Sequence, residues 1–281
     1  MSTLNRKILK FFARKIVKKY QPKIISIVSG EGTMETKKMI SSVLASKFST
    51  RSNENFFDNE TNILLTVIGA EKVETSLSIG ELVSTVNIFA KALKLILTKQ
   101  DYPKFLILEV KSDQAGGVKS LFGIARPEVG IIIEMEKLSN SKQSIKEKNL
   151  LVKCLRKNEL AILNCDDKII RDFIEGTRAK IITFGFSEKA NIRATEVINE
   201  KEIGNWKLEI GKNNHPDNIL RRGQLKKKKE EIINFKINYQ NSFVPIRLTR
   251  RQIYPALATA AIGLNYDLNL VEISSALRNC E

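Results

Sequence analysis

The protein has 281 residues, of which 42% are hydrophobic and 28% charged, as is usual for a globular domain with a core of ordinary size. Its formal net charge of +16 favours an anionic partner, such as nucleic acid, acidic lipid, nucleotide or acidic protein, although a Lys-rich composition alone also raises the charge. Cys154, Cys165 and Cys280 lie far apart, which argues against a disulfide framework, and the single histidine, His215, excludes a site built from several histidines.

Residues 1–21 are predicted to form a basic amphipathic helix. Apolar side chains recur at helical spacing, and basic side chains such as Arg6, Lys7, Lys10, Arg14 and Lys18 fill the positions between them. The apolar stripe is predicted to consist of Leu4, Ile8, Phe12, Ile16 and Tyr20. This stripe either packs on the domain that follows or lies on an anionic membrane surface, with the basic residues at the headgroups. The segment lacks the uninterrupted apolar core of a signal peptide.

Short apolar runs alternate with segments of helical periodicity between residues 22 and 191. Strands are predicted at 23–29, 62–68, 104–110, 129–135, 159–164 and 179–185. Helices are predicted at 35–48, 78–99, 115–124, 141–156 and 167–175. Nearly continuous apolar strands separated by helices predict an α/β fold, in which a parallel sheet of the P-loop type is covered by helices on both faces. No run approaches the roughly 18 apolar residues of a transmembrane helix.

A different pattern occupies residues 192–248 and predicts a small antiparallel β subdomain. The runs "NWKLEIG", "INFKINYQ" and "SFVPIRL" read as its strands, around the charged loop "LRRGQLKKKKEE". That loop is interpreted as solvated, because no aromatic residues interleave with its charges as they do in a nucleic-acid platform. Two helices, at about 252–264 and 270–279, close the chain.

Three features follow predicted strands, and parallel sheets bind ligands at the carboxyl ends of their strands. They are the glycine-containing turn in "SIVSGEGTMETKKMI" (26–40), Glu109, and "NCDD" at 164–167. Glycines that admit phosphate to the backbone, beside carboxylates that hold a cation, suit a magnesium–nucleotide site. The alternative is that the Asp and Asn side chains only cap the helices that follow.

Six collinear segments carry a resemblance to a known family. They are "YQPKIISIVSGEGTMETKKMI", "RSNENFFDNETNILLTVIG", "YPKFLILEVKSDQAGGVKSLFGIARPEVGIII", "ELAILNCDDKIIRDF", "KIITFGFSEKANIRA" and "LTRRQIYPALATAAIGLNYDLNLVEISSALRN". Together, over about residues 20–279, they resemble the central ATPase domain of the Mur ligases, most closely the branch that adds D-alanyl-D-alanine. Members of the family are ATP-dependent, ADP-forming amide ligases that work through an acyl phosphate. The resemblance implies that residues 22–281 are this central domain, without the family's UDP-sugar-binding N-terminal domain and its C-terminal domain.

The resemblance assigns the nucleotide contacts residue by residue. Gly30 and Gly32 lie in the phosphate loop, but Thr33 replaces its lysine, and Met34 and Glu35 replace the two threonines that follow. The loop's last two positions and the adenine side match at Thr36, Lys37, Asn164 and Asp167. Replacing the lysine removes a charge-assisted phosphate contact, and Glu35 adds a repulsive charge.

At the metal and catalytic positions, likewise, some residues match those of the family and others do not. Glu60 and Glu109 match the carboxylates that approach magnesium, and Lys148 matches the lysine that is carbamylated in many members. The family's histidine-containing stretch after Ile133 reads "EMEKLSNSKQSIKEK", without histidine. The closing His-Asn-x-x-Asn motif has become Arg251, Gln252 and Pro255.

The first functional hypothesis is therefore a degenerate Mur-ligase-like domain, a pseudoenzyme without a required cofactor. It would serve as a binding or scaffold module in cell-wall or membrane-surface assembly, with a protein partner or a second copy of itself. The alternatives are an active ligase or ATPase using ATP and magnesium, in which Lys37 or Lys38 reaches the phosphates, and a binder of nucleic acid or another anionic polymer. The expected location is the cytoplasm, either free or peripheral on the inner membrane face.

Overall fold

The computed structural model of the protein describes residues 3–28, 30, 32–53, 58–70, 78–113, 115–133, 142–199 and 231–280. Within these ranges the strands are β1 Lys23–Val28, β2 Thr50–Ser52, β3 Phe105–Val110, β4 Val129–Ile132, β5 Leu160–Asn164, β6 Lys180–Gly185, β7 Ile192–Asn199, β8 Ile232–Tyr239 and β9 Ser242–Thr249. The helices are α1 Thr3–Tyr20, α2 Thr33–Ala45, α3 Asn59–Ile68, α4 Ser78–Leu97, α5 Gly117–Ile124, α6 Lys142–Cys154, α7 Lys168–Ile174, α8 Ile253–Asn265 and α9 Leu270–Arg278. A 3₁₀ turn, Arg250–Gln252, leads into α8.

All described strands join one sheet in the order β2-β3-β1-β4-β5-β6-β7-β8-β9. Pairing is parallel from β2 through β7 and antiparallel from β7 through β9. The predicted fold class is confirmed, and the antiparallel strands extend the main sheet by way of a short β6–β7 pairing. The predicted strand at 205–211 lies outside the described residues.

The strands are continuously apolar because helices cover both faces of the sheet. Successive residues of β1 alternate between the two cores: Ile25 and Ile27 face one, and Ile24 and Val28 face the other. The first core is closed by α2, α8 and α9, and the second by α1, α3, α4 and α5. A smaller cluster beneath α6 and α7 covers the neighbouring central strands β4 and β5.

The strand predicted at 62–68 is wrong, because this segment belongs to helix α3. Asp58 caps the helix by accepting a hydrogen bond from the Thr61 backbone N–H at 3.0 Å, and Gly69 ends it in the left-handed conformation at φ 70°. Residues 61–68 are buried and mostly apolar, because the helix lies between other elements. A short buried helix and a buried strand share this pattern, so periodicity alone did not separate them.

Helix α1 packs on the domain, which was one of its two predicted roles, through a face that contains Phe12, Ile16 and Tyr20 of the predicted stripe but not Leu4 and Ile8. Leu9, Ala13 and Ile16 are fully buried, whereas Leu4 and Ile8 of the predicted stripe are exposed. Phe12, Val17 and Tyr20 complete the packed face. Among the described residues, no helix is both long enough and apolar enough to cross a membrane.

Candidate functional site

The side chain of Thr33 closes the turn between β1 and α2. The Thr33 hydroxyl accepts a hydrogen bond from the Gly30 backbone N–H at 2.8 Å and donates one to the Gly30 carbonyl at 2.9 Å. Thr33 is buried, so this hydroxyl occupies the inside of the turn. The Thr36 hydroxyl, also buried, donates to the Gly32 carbonyl at 2.7 Å. Both threonines that the resemblance assigned to the nucleotide therefore bond to the loop's own backbone.

Gly32 lies against the closing helix α8. Its backbone is left-handed, at φ 77°, which favours glycine, and a Cβ atom placed there would come within 3.2 Å of the Pro255 ring and 3.9 Å of Ile133. Pro255 stands where the family's motif has an asparagine. Gln252 of the same motif accepts hydrogen bonds from the Thr249 backbone N–H and hydroxyl, each at 2.9 Å, and so caps the turn before α8. These two positions of the motif thus have structural contacts.

Lys37 is bound to a carboxylate in the interior. Its ammonium group donates to the Glu109 carboxylate at 3.0 Å and to the Asn53 carbonyl at 2.7 Å. The Asn53 side chain in turn bridges the backbone N–H and carbonyl of Glu109, at 2.7 and 2.9 Å. All three residues are buried. Lys37 therefore points to β3, while its neighbour Lys38 is exposed.

The Glu60 carboxylate binds a second lysine, which belongs to α1. The Lys10 ammonium and the Ser120 hydroxyl each donate to the Glu60 carboxylate at 3.0 Å. One turn earlier, Arg6 pairs with Asp58 at 3.2 Å. Burial alone would raise the pKa of Asp58, but hydrogen bonds from Thr61 and the Arg6 charge more than offset burial and hold that pKa below its usual value.

The adenine-side residues are also engaged structurally. The Asn164 amide donates to the Ile133 carbonyl at 2.8 Å, and its oxygen accepts from the Asp166 backbone N–H at 2.9 Å. Asp167 caps α7 by accepting from the Ile169 and Ile170 backbone N–H groups, at 2.9 and 3.3 Å. This is the helix-capping alternative considered for the "NCDD" segment.

Asp166, which the sequence did not single out, is the other hydrogen-bonded carboxylate of that segment. It accepts from the backbone N–H groups of Phe186 and Ser187, at 2.6 and 3.0 Å, and from the Tyr254 hydroxyl at 3.1 Å. It lies so close to Gly185 that a Cβ there would clash at 2.6 Å. Adjacent aspartates at a strand end were visible in the sequence, but their separate partners were not.

Lys148 is fully buried in α6. Its match to the carbamylated lysine of the family stays a prediction. Its neighbour Glu147 has a defined structural role. The Glu147 carboxylate accepts from the Gly116 and Val118 backbone N–H groups, at 2.9 and 3.0 Å, and so caps α5.

Comparison with known proteins places this geometry in a family. Residues 35–261, most of the chain, match the family model for the Mur ligase middle domain. The chain belongs to the Mur ligase family. No curated protein sequence matches it significantly.

Solved Mur ligases share the fold at low sequence identity. The D-alanyl-D-alanyl-adding ligase of Acinetobacter baumannii is 17% identical with a TM-score of 0.64, and the match covers 98% of this chain and 50% of that one. The MurF ligase of Thermotoga maritima, solved in complex with ADP, is 13% identical with a TM-score of 0.62, covering 96% and 52%. A pseudomurein peptide ligase of Methanothermus fervidus is 14% identical with a TM-score of 0.52, covering 94% and 50%. The chain therefore spans about half the length of these Mur ligases.

In the described residues, groups that the resemblance assigns to a magnesium–nucleotide complex bond to other groups of the same chain. The Gly30 N–H is bonded to the Thr33 hydroxyl, and both assigned magnesium carboxylates, Glu60 and Glu109, already bind lysine ammonium groups. Among the described residues, no group of three or more His, Cys, Asp or Glu side chains could hold a metal ion together. The chemistry of the site is that of fixed internal ion pairs.

Proposed function

We propose that this protein is a non-catalytic Mur ligase module that acts by binding a partner rather than by ATP-driven ligation. The observation that carries the proposal is that each carboxylate assigned to magnesium is neutralised by a lysine of the same chain. Lys37 lies 3.0 Å from Glu109, and Lys10 lies 3.0 Å from Glu60. An ammonium group at hydrogen-bonding distance therefore already neutralises one oxygen of each carboxylate.

Electrostatics supports this proposal. A magnesium ion arriving at Glu109 or Glu60 would meet a like charge, and two unit charges 4 Å apart repel by about 4 kcal/mol at an effective dielectric constant of 20. Displacing Lys37 would also leave a buried ammonium group without its carboxylate, which is costly. Thr33 supplies no charge to a phosphate, and its hydroxyl already bonds to Gly30.

Retention of the fold supports a binding role. The fold is shared with solved Mur ligases, while the Thr33 side chain at the glycine turn bonds to the turn's own backbone. We place the module in cell-wall or membrane-surface assembly, because the relatives are named as ligases of peptidoglycan or pseudomurein peptides. Its partner would be a protein or a second copy of the chain.

Isothermal titration calorimetry with MgATP and MgADP tests the proposal. The Thermotoga maritima MurF ligase, solved with ADP, serves as the positive control under the same conditions. We expect no saturable heat for this protein up to about 1 mM nucleotide, which corresponds to less than about 4 kcal/mol of binding free energy. Micromolar affinity, or steady ADP release that Glu109→Ala abolishes, would overturn the proposal in favour of the ATP-dependent ligase.

A further inference from the structure

Helices α1 and α4 carry apolar side chains on their outer surfaces as well as on their packed faces. Leu4, Ile8 and Phe11 are exposed on α1, with Leu4 at 65% and Phe11 at 55%. Val86, Leu93 and Leu97 are exposed on α4, with Leu97 at 71%. Each set repeats at intervals of three, four or seven residues, so it forms a stripe along its helix.

The two stripes border one seam. Phe12 and Phe89 meet edge to face there, with ring centroids 6.1 Å apart. Residues three or four positions apart lie on the same side of a helix, so Ile8 lies beside Phe12, and Val86 and Leu93 lie beside Phe89. The outer apolar residues therefore flank the seam from both helices.

The helices run parallel, so the seam extends along both of them. Eight residues after Phe12, the Tyr20 hydroxyl lies 3.0 Å from the Leu95 carbonyl and 3.1 Å from that of Thr98. The Lys19 ammonium donates to the same carbonyls, at 2.8 and 2.6 Å, and so caps the carboxyl end of α4. We define the seam surface as Ile8, Phe11, Phe12, Val86, Phe89, Leu93 and Leu97.

Lysines form the margins of the seam surface. Lys7, Lys15 and Lys18 are exposed on α1, and Lys94 is exposed on α4. The Lys15 ammonium lies 5.4 Å from the centre of the Phe11 ring. Arg6, Lys10 and Arg14 are bonded instead to Asp58, Glu60 and the Gly123 carbonyl. Some basic residues of α1 therefore bind the domain, and the others face outward at the margin of the seam surface.

We propose that the seam surface binds the face of an anionic lipid bilayer. Apolar side chains would enter the interfacial region, while the long lysine side chains extend from its margins to acidic headgroups. Each lysine near such a surface adds electrostatic attraction to the acidic headgroups. A second copy suits this surface less well, because pairing two copies would bring their lysine margins together. The inference is independent of the nucleotide site, since it rests on neither Thr33 nor the two neutralised carboxylates.

Co-sedimentation of the full chain with large unilamellar vesicles tests the inference. The vesicles contain 30% phosphatidylglycerol in phosphatidylcholine, or phosphatidylcholine alone. We expect binding to the anionic vesicles that weakens as salt rises, and at least tenfold weaker binding to the neutral ones.

Two variants of the seam surface, each with a matched control variant, separate the apolar contribution to binding from the charged one. Phe11→Ser with Leu97→Ser should lower affinity at least tenfold, whereas Val271→Ser, which is equally exposed at 71% but lies on α9 over the opposite core, should not. Lys7→Gln, Lys15→Gln and Lys18→Gln together should lower affinity at least tenfold and flatten its salt dependence. Lys157→Gln, Lys168→Gln and Lys180→Gln remove as much charge from other exposed positions and should have a smaller effect.

Three results would overturn the inference. The first is no binding to anionic vesicles at low salt. The second is binding that the seam variants leave unchanged. The third is a concentration-dependent dimer, seen by analytical ultracentrifugation without lipid, that Phe11→Ser with Leu97→Ser dissociates, because the surface would then join two copies of the chain.

Discussion

At the scale of single residues, the two neutralised carboxylates differ in how much the fold depends on them. The Lys37–Glu109 pair is buried, whereas the Lys10–Glu60 pair is partly exposed to solvent. Removing one member of a buried pair leaves an uncompensated charge in the interior, which costs about 3–5 kcal/mol. An exposed pair is screened by water and contributes much less. Lys37 is therefore the residue at which the ion-pair interpretation is tested most directly.

We predict that Lys37→Met lowers the free energy of unfolding by about 3 kcal/mol, because the buried Glu109 carboxylate would lose its ion pair with Lys37. The double variant Lys37→Met with Glu109→Gln should recover much of this loss, since neither charge is then left alone. Urea unfolding followed by circular dichroism measures both. Lys38→Met, at the exposed neighbouring position, should change the free energy by about 0.5 kcal/mol or less. Equal effects at the two positions would contradict the buried pair.

At the scale of elements, α1 shows how tertiary contacts choose between two apolar faces. The sequence has apolar residues on both sides of this helix, so its periodicity predicts an amphipathic helix but does not say which stripe packs. The domain takes the stripe of Leu9, Ala13 and Ile16, and leaves Leu4, Ile8 and Phe11 outside. The pairs of Arg6 with Asp58 and Lys10 with Glu60 hold the helix in this orientation.

Leu9 and Ile8 are adjacent but should respond differently to truncation. Leu9 is 0% exposed, so Leu9→Ala should leave a cavity and cost about 2–5 kcal/mol of unfolding free energy. Ile8 is 37% exposed, so Ile8→Ala should cost less than about 1 kcal/mol. Thermal and urea denaturation of the two variants provide the measurement. A larger loss of unfolding free energy for Ile8→Ala than for Leu9→Ala would support the stripe predicted from the sequence instead.

At the scale of the whole molecule, one core joins the parallel and antiparallel parts of the sheet. β6 and β7 pair over only two residue positions, Phe184 with Ile192 and Gly185 with Arg193. Helix α8 packs across β5, β6 and β7, and the same core includes Ile25 of β1 and Ile246 of β9. The described strands therefore share stabilising contacts that the short pairing alone would not supply.

We predict that the parallel and antiparallel parts unfold in a single transition. Leu257→Ala, at a fully buried position of α8, should lower the stability of both parts together. Hydrogen exchange followed by mass spectrometry should then show β1 and β8 losing protection at the same denaturant concentration. Val271→Ala, at an exposed position of α9, is the control and should leave the denaturant concentration at which each strand loses protection unchanged. Separate transitions for the two strands would show that the β7–β9 region folds independently.

Much of the fold was predictable because its signals are local. Apolar runs such as that of β3 indicate strands buried on both faces, and the helices between them indicate parallel pairing. The failure at 62–68 arose because this helix is buried and mostly apolar, although Asp58 and Gly69 marked its ends. Of the candidate site, the resemblance alone predicted that Thr33 stands at the position of the family's phosphate-loop lysine. The contacts that Thr33 makes instead were not predicted, because they depend on the path of the turn.

The sequence by itself determined the α/β class, the family resemblance and which chemical groups stand at the expected nucleotide positions. Only the tertiary structure decided what those groups bind. Lys37 meets Glu109 across 72 positions of sequence, and Lys10 meets Glu60 across 50. A lysine reads the same in a sequence whether it faces a phosphate, a carboxylate or water. Its partner is set by how helices and strands pack, because packing determines which charges come within a few ångströms of each other and are removed from solvent.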